Sequence, residues 1–261
     1  MTPLLLALAL MQQTLERRIA TAPDGTVHLS FAARPNVCGD GRSSISMNCD
    51  DGTCGSHRTV SVGRRRDRDE VEYDCEPGPV RVSLRVAGGH VTSLHTYVGG
   101  RWRAATGDGV TDLGTVGARE GSAYFLGLAT KDSGPGAEHA VFPAILADSV
   151  TVWPDLLRIA RDAHVSRRTR RQAVFWLGQA AGEAATRGLT DLVDDRATDR
   201  DVREQAVFAL SQRPRDEGVP ALIRIARANP DPELRKKAIF WLGQSDDPRA
   251  LALFEELLTK P

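Results

Sequence analysis

The chain has 261 residues, room for one large domain or two modest ones, and its 34 Lys+Arg balance its 34 Asp+Glu. A formal charge of zero speaks against a general nucleic-acid or anionic-membrane binder, which needs surplus cations. All four cysteines (Cys38, Cys49, Cys54 and Cys75) fall in one short segment. An even number so clustered is the mark of an oxidising compartment on a small β-rich module.

In chain order, Leu4–Met11 is an apolar run of eight residues, far too short to cross a bilayer. It fits the h-region of a secretory signal, with Ala9 and Met11 at the −3 and −1 positions and Gln12 opening the mature chain. No Lys or Arg precedes it. With the cysteines, the run predicts an exported protein, periplasmic or secreted. If the run is not a signal, the protein is cytoplasmic.

A small β-rich domain is predicted over 12–103, behind a short helix on which Leu15 and Ile19 lie one turn apart. Pro23-Asp24-Gly25 stops that helix. Thr26–Ala33 alternates as a strand, with Val27, Leu29 and Phe31 on one face. Shorter strands are expected at Ser43–Met47, Arg58–Val62 and Val71–Cys75. Val80–Val86 and Val91–Val98 form a hairpin across Gly88-Gly89. A three-residue loop with a bulge would put Leu94 and Val98 on the face of Val80, Val82, Leu84 and Val86. The Gly- and Thr-rich stretch 104–117 has no sustained period and reads as a linker.

Three disulfide connectivities are open to the four cysteines. Cys38–Cys75 with Cys49–Cys54 is favoured, because the second bridge closes a turn rich in Asp and Gly. Zinc is disfavoured: four residues separate Cys49 from Cys54, His57 is nearby, and no second well-spaced pair completes a site. No metal and no cofactor is expected. Arg64-Arg65-Arg66-Asp67-Arg68-Asp69 reads as a solvated hairpin loop, since acids interrupt it.

From 118 to 261 the pattern is helical, and three segments are near copies: RRQAVFWLGQ at 170–179, REQAVFALSQ at 203–212 and RKKAIFWLGQ at 235–244. Their phenylalanines, Phe175, Phe208 and Phe240, are 33 and 32 residues apart. LLRIAR at 156–161 recurs as LIRIAR at 222–227, two periods later. Helix pairs repeating at this length stack into a solenoid, because one pair alone cannot bury its apolar face. Tyr124-Phe125-Leu126-Gly127 echoes the motif but lies 51 residues before Phe175, so an extra helix near 137–147 is expected to interrupt the order.

This unit, followed by Ser245-Asp246-Asp247-Pro248-Arg249-Ala250-Leu251, resembles the HEAT repeat in its short, bilin-lyase-like form. The β domain is similar to a module that precedes HEAT repeats in exported bacterial proteins. The resemblance implies a mainly α fold, an α-solenoid of HEAT-like helix pairs after a small disulfide-containing β domain. It also implies a scaffold or adaptor function. The family's inter-repeat Asp–Arg pairing would map onto Asp201 with Arg203 and Asp231 with Arg235. The first repeat keeps Arg170 but has Val165 and Ser166 in place of an Asp, which predicts an interrupted ladder.

On a helical wheel with Ala173 at zero, Leu177 and Val174 fall at about 40° and 100°, but Phe175 and Gln179 at about 200° and 240°. Phe175, Phe208 and Phe240 with Gln179, Gln212 and Gln244 therefore form a stripe on the concave face, flanked by Trp176 and Trp241. Such a stripe suits an interface core. Either another protein covers it, or the chain's own β domain or a flanking helix does, or the helices are rotated and the stripe is core. The six histidines are scattered, with no His-Glu-x-x-His and no Gly-x-Ser-x-Gly. No catalytic residue is assigned. The expected function is a non-catalytic envelope scaffold binding another protein, with no nucleic acid and no transmembrane segment. The alternative is a lyase-type enzyme or subunit holding a tetrapyrrole-like ligand in the groove.

Overall fold

The structure, a computed structural model, describes residues 14–42, 44–47, 75–100, 107–131, 134–180 and 182–259. The signal-like run, Cys49, Cys54, His57, the strands expected at 58–62 and 71–74 and the arginine run 64–69 lie outside the described residues. The chain divides into two compact units, Met1–Val150 and Thr151–Pro261.

In the first unit, α1 (Leu15–Ala20) is capped by Thr14 and buries Leu15 and Ile19. It is followed by β1 (Gly25–Phe31), β2 (Cys38–Gly39), β3 (Ile45–Ser46), β4 (Glu76–Pro77), β5 (Val80–Ala87), β6 (His90–Val98) and β7 (Val110–Thr115). A four-stranded sheet runs β6-β5-β1-β7, and a small sheet runs β3-β2-β4. Val27, Leu29 and Phe31 of β1 and Val80, Val82, Leu84 and Val86 of β5 are all buried on alternate positions. That is what a one-sided β pattern requires.

The hairpin register pairs Val80 with Val98 and Leu84 with Leu94, so those side chains share the apolar face as expected. The mechanism differs from the expected three-residue loop. Gly88 and Gly89, at φ 57° and 77°, make a two-residue turn, and the shift comes from the register break between Arg85 and Val86. The Cys38–Cys75 disulfide is present and ties β2 to the segment entering β4.

Residues 104–117, expected as a linker, contain β7, which pairs parallel to β1. Helix α2 (Ala118–Lys131), the short α3 (Pro135–Glu138) and α4 (Val141–Ile145) also belong to this first unit rather than to the repeats. The cause is a packing seat. A Cβ at Gly121 would meet Phe31 Cδ1 at 2.9 Å, and the rings of Phe31 and Phe125 are 6.1 Å apart. Phe125, in the motif echo 124–127, is thus fully buried within the unit that holds the sheet.

The second unit is α5 (Trp153–Arg161), α6 (Arg167–Gln179), α7 (Glu183–Asp194), α8 (Arg200–Ser211), α9 (Arg215–Ala228), α10 (Pro232–Gly243) and α11 (Pro248–Thr259). The pairs α5–α6, α7–α8 and α9–α10 repeat, with α11 as a further first helix. The second helices α6, α8 and α10 pack on one another more extensively than the first helices do. Leu156, Leu189, Leu222 and Leu253 mark the buried stripe of the first helices, and Leu177, Leu210 and Leu242 that of the second.

Candidate protein-binding face

The face is built by stapling one helix pair to the next. Ser166, Asp199 and Asp231 stand immediately before α6, α8 and α10, and each lies four residues before the buried or half-buried Arg170, Arg203 or Arg235. Arg170 Nη2 donates to Asp199 Oδ2 at 2.5 Å. Arg203 lies 3.8 Å from Asp231 Oδ2 and donates its Nε to the Val193 carbonyl at 2.9 Å. Arg170 and Arg203 therefore reach forward to the aspartate that opens the next second helix.

This corrects the expected pairing. Asp201 contacts Arg167 at 3.4 Å, while Asp199 takes the ladder position. The missing Asp in the first repeat breaks nothing, because that repeat contributes only its arginine. Arg235 turns back to the carbonyls of Asn229 and Pro230, at 2.7 and 3.3 Å.

The opposite ends of the helices carry a second staple. Arg213 is buried. It donates to Thr186 Oγ1 at 2.8 Å, to the carbonyls of Ala180 and Gly182, and to Glu217 Oε2 at 2.8 Å. It fills the turn between α6 and α7 and satisfies carbonyls that a helix end leaves open. Hydrogen bonds from Thr186 and then Arg213 hold the Glu217 carboxyl below its usual range. One repeat later, Asp247 accepts from Arg249 N, Nε and Nη2, and Arg249 Nη2 also donates to the Arg215 carbonyl. Those bonds lower the Asp247 pKa to about 2.

On this frame the second helices present the repeated aromatic positions. Ala173, Val174 and Leu177 are fully buried, while Phe175, Phe208, Gln179 and Gln212 are half-exposed. Phe240 is 57% exposed, and Gln244 is exposed beside it. The two tryptophans do not act alike. Trp176, expected to flank the stripe openly, is only 8% exposed and sets its edge on Phe175 at 4.9 Å. Trp241 is half-exposed and bridges repeats, with ring centroids 5.0 Å from both Phe208 and Phe240. Phe208, Trp241 and Phe240 are therefore one continuous aromatic row.

Ala209 stands where the other two copies have Trp, and sequence reasoning gave no cause for it. A Cβ at Gly178 would lie 3.1 Å from Ala209 Cβ, so α6 and α8 approach too closely there for an indole. Charge segregates as well: α6, α8 and α10 carry nine Lys/Arg against three Asp/Glu, whereas α5, α7, α9 and α11 carry seven against eight. The cationic excess is on the helices that bear the aromatics. Among the described residues there is no group of three or more His, Cys, Asp or Glu placed to hold a metal. None of the described helices is long and apolar enough to cross a membrane.

No curated protein matches the chain. A family model described as HEAT repeats matches residues 187–261, which span most of α7 and all of α8 to α11, so this part of the chain is similar to HEAT repeats.

Proposed function

We propose that this chain is a non-catalytic scaffold that binds another protein across the faces of α6, α8 and α10, and that it works in an oxidising compartment outside the cytoplasm. The observation that carries the reading is the aromatic row. Phe175, Phe208 and Phe240 occupy one helical position in three successive repeats, away from the fully buried Leu177, Leu210 and Leu242. Phe240 remains more than half exposed, Phe175, Phe208 and Trp241 stay partly exposed, and aromatic side chains left at a surface are enriched in interface cores. The amides of Gln179, Gln212 and Gln244 lie one turn further along each helix and supply donors and acceptors beside the rings. The similarity of 187–261 to HEAT repeats supports a binding role. The Cys38–Cys75 bridge supports the compartment.

The test is affinity capture from a cell-envelope extract with the wild-type chain and with Phe208→Ala, each verified as folded. The proposal expects at least one protein held by the wild type and lost by the variant. Identical captured sets would remove the face from any binding role.

A further inference from the structure

Resting on that reading of the face, we infer that its partner is an extended acidic polypeptide segment, with a central apolar or aromatic side chain flanked on both sides by carboxylates. Charge complementarity along the row selects such a segment. Residues four apart on a helix share a face, so each phenylalanine has a defined charged neighbour one turn before it: Arg171 before Phe175, Glu204 before Phe208 and Lys236 before Phe240. Arg171 and Lys236 are exposed. Both outer helices thus place a cation beside an aromatic ring, Lys236 also pairing with Glu233 on its own helix at 2.9 Å, and the middle helix does not.

The acids on α8 are already engaged by neighbouring cations. Glu204 lies 3.3 Å from Arg200 and 3.1 Å from Lys237, and Asp201 lies 3.4 Å from Arg167. The centre of the face is therefore electrically quiet and aromatic, around Phe208 and Trp241, while α6 and α10 on its flanks carry seven Lys/Arg against one Asp/Glu. A continuous phosphate backbone would have to cross Asp201 and Glu204 in the middle, which disfavours a nucleic acid; a peptide can place its carboxylates only where cations wait. Packed helices lie about 8–10 Å apart, so three of them span about 20 Å, the reach of about six extended residues.

The experiment is selection of random twelve-residue displayed peptides on the intact chain and, in parallel, on Phe208→Ala. The enriched peptides are then synthesised and titrated by fluorescence polarisation at low and high salt. The inference expects an aromatic or aliphatic residue between Asp or Glu residues. It also expects affinity to fall about tenfold in Arg171→Glu/Lys236→Glu and to weaken with salt. Both substituted residues are exposed, and an unchanged circular dichroism spectrum and melting temperature are required of the double variant before its affinity is read.

Peptides that need Phe208 but lack carboxylates, or that ignore the charge reversal, would overturn the inference and leave the scaffold reading standing. Displacement of a bound peptide by a single-stranded oligonucleotide would overturn it in favour of a nucleic-acid face. If the wild type and Phe208→Ala return the same peptides, or neither returns any, the binding face itself is wrong.

Discussion

Arg203 shows how a single side chain can hold two repeats in register. Its Nε satisfies the Val193 carbonyl at the end of α7, while its guanidinium faces Asp231 at the start of α10. Arg203→Ala removes a charge-assisted bond and leaves a carbonyl without its donor, so a loss of about 1.5–3 kcal/mol is expected by urea denaturation. No change in midpoint would show that the ladder is incidental. Asp247 gives the pH dependence. Its pKa lies at about 2 instead of 3.8, through bonds from Arg249, and Asp195 and Glu217 are lowered as well. A carboxyl with a depressed folded-state pKa contributes stability that is complete above its unfolded value and lost as pH falls through the folded one. The melting temperature should therefore drop as pH falls from about 4 to about 2, and Asp247→Asn should flatten part of that drop. A melting temperature that rises on acidification would contradict the assignment.

At the scale of helices and strands, close approach decides what the repeats tolerate. A Cβ at Gly218 would lie 2.4 Å from the Leu210 carbonyl oxygen. Gly→Ala in a helix ordinarily gains about 1 kcal/mol of propensity, but backbone cannot rotate away as a side chain can. Gly218→Ala should destabilise by about 1–3 kcal/mol, read as a lower melting temperature. The same tertiary logic explains what was legible in the sequence. The three copies could be recognised because Ala173, Val174 and Leu177 and their equivalents repeat a burial pattern that each helix carries in itself. The motif echo at Tyr124–Gly127 misled because its partner, Phe31, is almost a hundred residues away. β7 was illegible because Val110–Thr115 alternates poorly and owes its strand to pairing with β1. Spacing alone does not separate Asp199 from Asp201, because only the fold shows which of the two meets Arg170.

At the scale of the whole chain, two units with different means of support share one sequence. The first places the Cys38–Cys75 bridge between β2, whose two residues are buried, and the segment entering the exposed two-residue β4. The bridge joins residues 37 apart, and closing a loop of that size stabilises by about 4 kcal/mol in the chain-entropy account. Cys38→Ser/Cys75→Ser should lower the stability of the first unit by that order, and leave the helical signal of 151–261 unchanged at the same denaturant. A cooperative loss of both signals would show that the units do not unfold separately. The second unit depends instead on apolar stripes and on the two arginine staples, and none of its residues is a cysteine.

The aromatic row of the second helices, partly exposed and proposed to bind a protein, is open to direct test. Phe208→Ala beside Leu210→Ala tests it most directly, with thermal denaturation and partner binding measured on both. Leu210 is fully buried, and its truncation should cost about 2–5 kcal/mol. Phe208 is only partly buried and pairs with Trp241, a ring contact of about 0.5–1.5 kcal/mol beyond the area it buries. The account predicts a small fall in melting temperature for Phe208→Ala together with a loss of about 2 kcal/mol or more in binding. Equal falls in melting temperature for the two variants, with binding unchanged in Phe208→Ala, would mean the row is packed inside the chain and would contradict the claim.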